Sequence, residues 1–184
     1  MRHTLTIFAT LGLLAVLALS AGCTVYDVAV EERDLGDWTS DKNISFAIEK
    51  AYLQDDLVKY MDFDAFTYEG HVFIVGEYES RDQIKRAVSI AKGVKGVRKV
   101  TTHLIPKKTQ DYCGTTDNLE LYTKVKQRLV TDTEIWSTNI DIKTLQCNII
   151  LLGIVGSATE RDTAIAHAQS VEGARGVKSF LIVK

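Results

Sequence analysis

The chain has 184 residues, a formal net charge of −2 and a hydrophobic share of 46%. That length and apolar content suit one domain of ordinary size, or two small ones, with real cores. No basic stretch dominates any part, so the charge pattern leaves no nucleic-acid footprint.

The first element is an export signal. Arg2 and His3 precede an apolar run over residues 5–19, and the small residues Ser20, Ala21 and Gly22 lead to Cys23. That order is a secretory signal, and the run is too short to cross a hydrocarbon core of ~30 Å comfortably. A cysteine at this place resembles the lipobox of bacterial lipoproteins. The resemblance implies cleavage after Gly22, a diacylglycerol on the Cys23 sulfur and acylation of the new amine. Leu normally stands three places before the cysteine; here that place holds Ser20, and Leu19 is one place further. The alternative is an ordinary cleaved signal with a cysteine nearby. In the lipoprotein family, Thr24 in place of an Asp after the cysteine points to the outer membrane, facing the periplasm. Residues 1–22 are therefore expected to be a lipoprotein signal peptide, outside the fold. Residues 23–42 carry Asp27, Glu31, Glu32, Asp34, Asp37 and Asp41 against only Arg33 and Lys42, with no apolar period. They read as an extended acidic tether.

From residue 43 onward one unit is written twice. An offset of 77 residues places Gly76 on Gly153 without a gap. It also places Asp55 on Asp132, Ser80 on Ser157, Ala87 on Ala164, Val94 on Val171, Gly96 on Gly173 and Leu104 on Leu181. A register held across a whole unit marks a tandem repeat. The expected units are 43–106 and 118–184, joined by a linker at 107–117 just after the single proline, Pro106.

Each unit opens with a helix: Ile44, Ile48 and Ala51 share one face, as do Leu121, Val125 and Leu129. A strand follows, alternating Phe63, Ala65 and Thr67 against Asp64, Phe66 and Tyr68. Its mate alternates Ile140 and Ile142 against Asp141 and Lys143. Glu69-Gly70 supplies a tight hairpin turn into a second strand at 71–78, matched at 148–155. Ser80 with Gln83, and Ser157 with Glu160, fit a capping box that starts a second helix. Gly96 and Gly173 suit left-handed helix ends. A last strand runs over 98–105 and 175–183. The fold class is thus α+β: two tandem α-β-β-α-β units, each a small three-stranded mixed sheet with two helices on one face. Ile149-Ile150-Leu151-Leu152 is apolar on both faces, so the second sheet is expected to pack its free face on the first, whose 72–75 segment is similar. The mid-strand glycines Gly76 and Gly153 are expected to permit close helix-on-sheet packing.

These residues carry a family resemblance. Glu-Gly-His-Val-Phe-Ile-Val-Gly at 69–76, then Ser80, then Ala-x-x-x-Ala-x-x-Val-x-Gly-Val-x-x-Val at 87–100, resembles the BON domain (bacterial OsmY and nodulation). The second copy runs through Ile149 to Gly153, Ser157, and 164–177, departing at Cys147, which replaces the turn glycine, and at Ala174. Signal, cysteine and two such domains resemble the dual-BON outer-membrane lipoproteins associated with division and envelope stress. That resemblance implies binding of anionic phospholipid by the second unit and maintenance of the envelope barrier.

The residues agree with a binding role. His71, His103 and His167 are scattered, with no metal spacing and no nucleophile pattern, so no catalytic site, metal or cofactor is expected. On the first helix of the second unit, Lys124, Lys126 and Arg128 lie off the apolar stripe with Tyr122 beside them, and Trp136 follows. Cations gain about 1 kcal/mol each near an anionic surface, and Tyr and Trp suit the headgroup level. Those five residues form the candidate lipid-binding set; the plain reading is a solvated helix face with Trp136 plugging the core. A second basic patch is Lys92, Lys95, Arg98 and Lys99, continued by Lys107 and Lys108. The rival partner class is another envelope protein, recruited by an interaction module.

With Cys23 acylated, Cys113 and Cys147 remain in an oxidising compartment. A helix over 118–132 runs out ~22 Å at 1.5 Å per residue. The strand over 139–146 returns ~26 Å at about 3.3 Å per residue. That brings Cys147 back beside Cys113, and a disulfide is expected. The alternative is a buried Cys147 and a free Cys113.

Overall fold

A computed structural model describes residues 35–58, 62–110 and 113–184; the signal, Cys23 and the first part of the expected tether lie outside them. The first unit consists of α1 (Leu35–Leu53), β1 (Phe63–Tyr68), β2 (His71–Tyr78), α2 (Arg81–Gly93) and β3 (Lys99–Pro106). The second consists of α3 (Thr115–Thr131), a single 3-10 turn (Ser137–Asn139), β4 (Ile140–Leu145), β5 (Asn148–Val155), α4 (Ala158–Gln169) and β6 (Gly176–Val183). Each sheet is mixed. β2 is central, antiparallel to β1 and parallel to β3, and β5 holds the same place between β4 and β6. Among the described residues no helix is long and apolar enough to cross a membrane.

The period-2 alternation of the central strands sorts their side chains between two cores. Val72 and Ile74 join Ile44, Ile48, Tyr52, Ala87 and Ala91 under α1 and α2. Ile149 and Leu151 join Leu121, Val125, Leu129, Ala164 and Ala168 under α3 and α4. The intervening residues Phe73 and Val75, and Ile150, Leu152 and Ile154, meet in a third cluster with Tyr68 and Leu145. The two sheets therefore pack face to face, and the layers run helices, sheet, sheet, helices. This is why the central strands read as unbroken apolar runs.

Polar contacts fix how the sheets are stacked. Tyr68 donates its hydroxyl to Asp141 Oδ2 at 2.5 Å, and Lys143 pairs with Asp64 at 2.5 Å. Low-numbered β1 residues thus face high-numbered β4 residues, so the units run antiparallel to one another. The side-chain amide of Gln146 donates to the Pro106 carbonyl at 2.7 Å.

Four sequence expectations need correction. The stretch read as a tether over 23–42 is helical from Leu35. Its Asp41 is buried beneath the first hairpin, accepting the Glu69 N–H at 2.6 Å and the Gly70 N–H at 2.9 Å. A buried carboxylate occupies the core-facing position one turn before Ile44, so the hydrophobic period gave no sign that the helix began earlier. Likewise α3 begins at Thr115, inside the expected linker, with the Gly114 N–H donating to Asp117 Oδ2 at 2.7 Å.

The capping boxes form with a shift of one place. Ser80 and Ser157 accept the N–H groups of Gln83 and Glu160, but the returning side chains take the N–H of Glu79 and Gly156, the residue before each cap. Finally, Gly76 and Gly153 face backbone, not a helix. A Cβ on Gly76 would lie 2.0 Å from the Asp62 carbonyl oxygen, and one on Gly153 2.0 Å from that of Asn139. The chain entering the first strand of each hairpin crosses the second strand at that point.

Candidate functional site

The expected contact residues lie on α3 and the turn after it. Leu121, Val125 and Leu129 hold the inner face in the core. At 100° per residue, Leu119, Tyr122, Lys126 and Val130 then fall on one outer stripe. Leu119 is 61% exposed, Val130 59% and Tyr122 38%, a concentration of apolar surface that a solvated helix face does not need. Trp136 continues the stripe at 50% exposure, beside a shallow depression of about 440 Å³ that it shares with Lys126, Val130, Thr133 and Ile135.

Trp136 does not plug the core; its neighbour Ile135 does, at 7% exposure. The backbone around Trp136 is pinned while its ring stays outside. Its N–H donates to Glu160 Oε1 at 2.9 Å, and its carbonyl accepts the Asn139 N–H at 2.9 Å. Glu160 is a buried carboxylate that takes this N–H with one oxygen and the Gly156 N–H with the other. The loop geometry thus presents the indole from a fixed base.

The five expected contact residues do not form one face. Tyr122, Lys126 and Trp136 lie together, and the Lys126 ammonium donates to the Ser137 carbonyl at 3.2 Å across the depression. Lys124 and Arg128 lie on the opposite flank, where Lys124 pairs with Glu120 at 2.6 Å and Arg128 donates to Ser170 Oγ at 2.9 Å. Sequence spacing of two residues guaranteed this separation, since it turns the helix by ~200°. The exposure of Leu119 and Val130 is not legible in the sequence, because apolar residues off the core stripe carry no periodic signal.

The second basic patch also divides. Lys92, Lys95, Arg98 and Lys99 are exposed where α2 ends and β3 begins. Lys107 sits at the far end of β3, bridging Asp62 at 3.0 Å and Glu79 at 3.2 Å, and its hydrogen bond to Asp62 raises its pKa.

Each histidine has its own structural setting. The His71 ring contacts Thr101 Oγ1 at 2.8 Å and stacks near Phe73, while His103 meets the edge of Phe180. Burial, then nearby Lys99 or Lys178, lowers both pKa values and favours the neutral rings. His167 Nε2 lies 2.7 Å from Asp132 Oδ2, a contact that holds the Asp132 carboxyl below its usual range. Among the described residues no group of three or more His, Cys, Asp or Glu is placed to hold a metal ion.

Cys113 and Cys147 are joined by a disulfide, with Cα atoms 5.7 Å apart. Cys147 occupies the turn position of Gly70 in the first unit and keeps its left-handed backbone, at φ 58° against 74°. The bridge ties that turn to Cys113, two residues before α3, and Asn118 Oδ1 in the first turn of α3 also accepts the Cys147 N–H at 3.1 Å. The start of the site helix is therefore fixed covalently to its own sheet.

A second outward surface went unmarked in the sequence. On α1, Phe46 is 66% exposed and Leu53 70%. Leu53 and Val130 are repeat mates, so both first helices carry an outward apolar residue at the same place.

Residues 40–105 and 117–184 each match the BON domain. The chain is 28% identical to the osmotically-inducible protein Y of Escherichia coli, over 82% of this chain and 76% of that protein. It is 26% identical to the outer membrane lipoprotein DolP of Haemophilus influenzae, over 86% of this chain and 82% of that protein. Against CdsD, a structural protein of the type III secretion system of Chlamydia trachomatis, the TM-score is 0.32 at 15% identity, covering 78% of this chain and 63% of that one.

Proposed function

The chain belongs to the BON domain family, and from that premise we propose that it is a non-enzymatic envelope lipoprotein that binds anionic phospholipid surfaces through α3. Its proposed place is the periplasmic side of the outer membrane, held by an acylated Cys23, where it helps maintain membrane integrity. The observation that carries the reading is the outward stripe of Leu119, Tyr122, Val130 and Trp136 around Lys126. Apolar side chains on a rigid helix can enter the headgroup boundary while the ammonium meets a phosphate. The name of one relative, an outer membrane lipoprotein, supports the location.

Magnitudes decide which residues matter. Transferring the exposed half of a tryptophan out of water is worth about 2–3 kcal/mol. One cation near an anionic surface is worth about 1 kcal/mol. The apolar residues therefore dominate, and Lys124 and Arg128 contribute little. In flotation with vesicles of phosphatidylglycerol and phosphatidylethanolamine, Trp136→Ser in a non-lipidated Cys23→Ser chain should weaken binding roughly thirty- to hundredfold. Lys126→Ser should weaken it severalfold, more at low salt. Lys124→Ser with Arg128→Ser should change it least. Unchanged binding by the Trp136 variant would remove this surface from the reading. If the parent chain floats with no vesicle, the rival reading of a protein-recruiting module takes its place.

Acylation is tested separately. The Cys23→Ser chain should leave the membrane pellet and appear in the soluble envelope fraction, because one helix face gives only reversible attachment. Full retention in the pellet would mean that the acyl chains are not the main anchor.

A further inference from the structure

The α1 surface cannot share a flat membrane with α3, because the two helices lie on opposite outer layers of the molecule. Its chemistry also differs. Trp38, Lys42, Phe46, Glu49 and Leu53 fall within one arc of about 100° beside the buried stripe of Ile44, Ile48 and Tyr52. The arc holds one cation and one anion between aromatic and aliphatic residues, and an anionic bilayer would repel Glu49. Glu49 is partly buried already, and burial followed by the nearby Asp64 raises its pKa.

We propose that α1 is a self-association surface, pairing antiparallel with α1 of a second copy about a two-fold axis near Phe46. The sequence of the arc is self-complementary under that operation. A two-fold axis between Ser45 and Phe46 sets Lys42 opposite Glu49 of the partner copy and Trp38 opposite its Leu53. The charge pair and the apolar pair then each form twice, as an isologous contact requires. Phe46 meets its counterpart at the centre, over a crevice of about 260 Å³ between α1 and β1 that Ser45, Phe46, Glu49, Ala65 and Tyr68 help to line. A parallel pairing would set Lys42 against Lys42 and Glu49 against Glu49, so the charges select the antiparallel one. The proposal does not rest on the lipid reading, since it uses the other outer layer.

Sedimentation velocity on the non-lipidated Cys23→Ser chain, over a range of concentrations, tests it. A monomer–dimer equilibrium is expected, and Phe46→Glu should weaken it at least about tenfold, as loss of a central aromatic anchor does. Lys42→Glu and Glu49→Lys should each weaken self-association. Mixed together, those two variants should form a heterodimer, because each restores the charge that the other has lost; an effect on the fold of either chain alone could not produce that recovery. Circular dichroism and thermal unfolding of each variant confirm that the fold persists. A parent chain that stays monomeric throughout would overturn the proposal. So would a dimer indifferent to Phe46→Glu, a mixture that fails to recover, or a loss of vesicle flotation by Phe46→Glu as large as that of Trp136→Ser.

Discussion

Replacing Gly153 with alanine is expected to destabilise the protein by about 3–5 kcal/mol, which is exceptional for the addition of a single methyl group. The added carbon would lie 2.0 Å from the Asn139 carbonyl oxygen and 3.3 Å from the Ile140 Cα. Both are backbone atoms, so no rotamer change relieves the overlap. Gly153 also has φ +146°, where an L side chain is strained. The entry to β4 must therefore move off β5, although Ile140 pairs with Gly153 in the register. That movement propagates directly to the site, because the Asn139 N–H bonds to the Trp136 carbonyl. Urea denaturation measures the first effect and vesicle flotation the second; both should fall. Gly76→Ala should be comparably costly, since its Cβ would lie 2.0 Å from the Asp62 carbonyl oxygen. Gly93→Ala is the control: nothing lies within 4 Å, and its effect should be small. A cost below about 1 kcal/mol for Gly153→Ala would contradict the close crossing of the two strands.

That glycine illustrates where sequence reasoning reached and where it stopped. The unbroken apolar runs at 149–152 and 72–75 are enough to identify strands buried on both faces, and hence two sheets packed together. The 77-residue offset marked Gly76 and Gly153 as equivalent. What faced them was not legible, because the answer depends on the path of the chain before each hairpin, which carries no side-chain pattern. The same limit applies to the start of α1. Its first turns bury Asp41 for hydrogen bonding to the hairpin turn, and a buried carboxylate looks like a solvated one in sequence. The proposed surface lies on the helix that carries the expected cations, but its apolar members are not legible in the sequence. Cations stand out in a sequence, whereas Leu119 and Val130 matter only because three other residues already fill the inner face of α3. Exposure of an apolar residue is a property of the packed helix, not of the residue.

Loss of the disulfide is expected to lower stability by about 3–4 kcal/mol, from the closure entropy of a loop of 34 residues. For a chain of this size that is a fall in Tm of roughly 10 °C. Reduction should produce it, and so should Cys113→Ser with Cys147→Ser. The backbone adds a second component that separates the two variants of the turn. Cys147 is left-handed at φ 58°, a conformation that serine adopts no more readily than cysteine but that glycine adopts freely, as Gly70 does in the first unit. Cys113→Ser with Cys147→Gly should therefore recover up to about 1 kcal/mol of the loss. The damage should concentrate at the start of α3, which the bridge holds against the β4–β5 turn, while the contacts between the two sheets persist. Because α3 carries the outward stripe, the reduced chain should also bind vesicles less tightly than the oxidised chain. Mass spectrometry of the unreduced protein after alkylation decides the premise: a Cys113 and a Cys147 that both take up the reagent would rule the bridge out, and the expected result is that neither does.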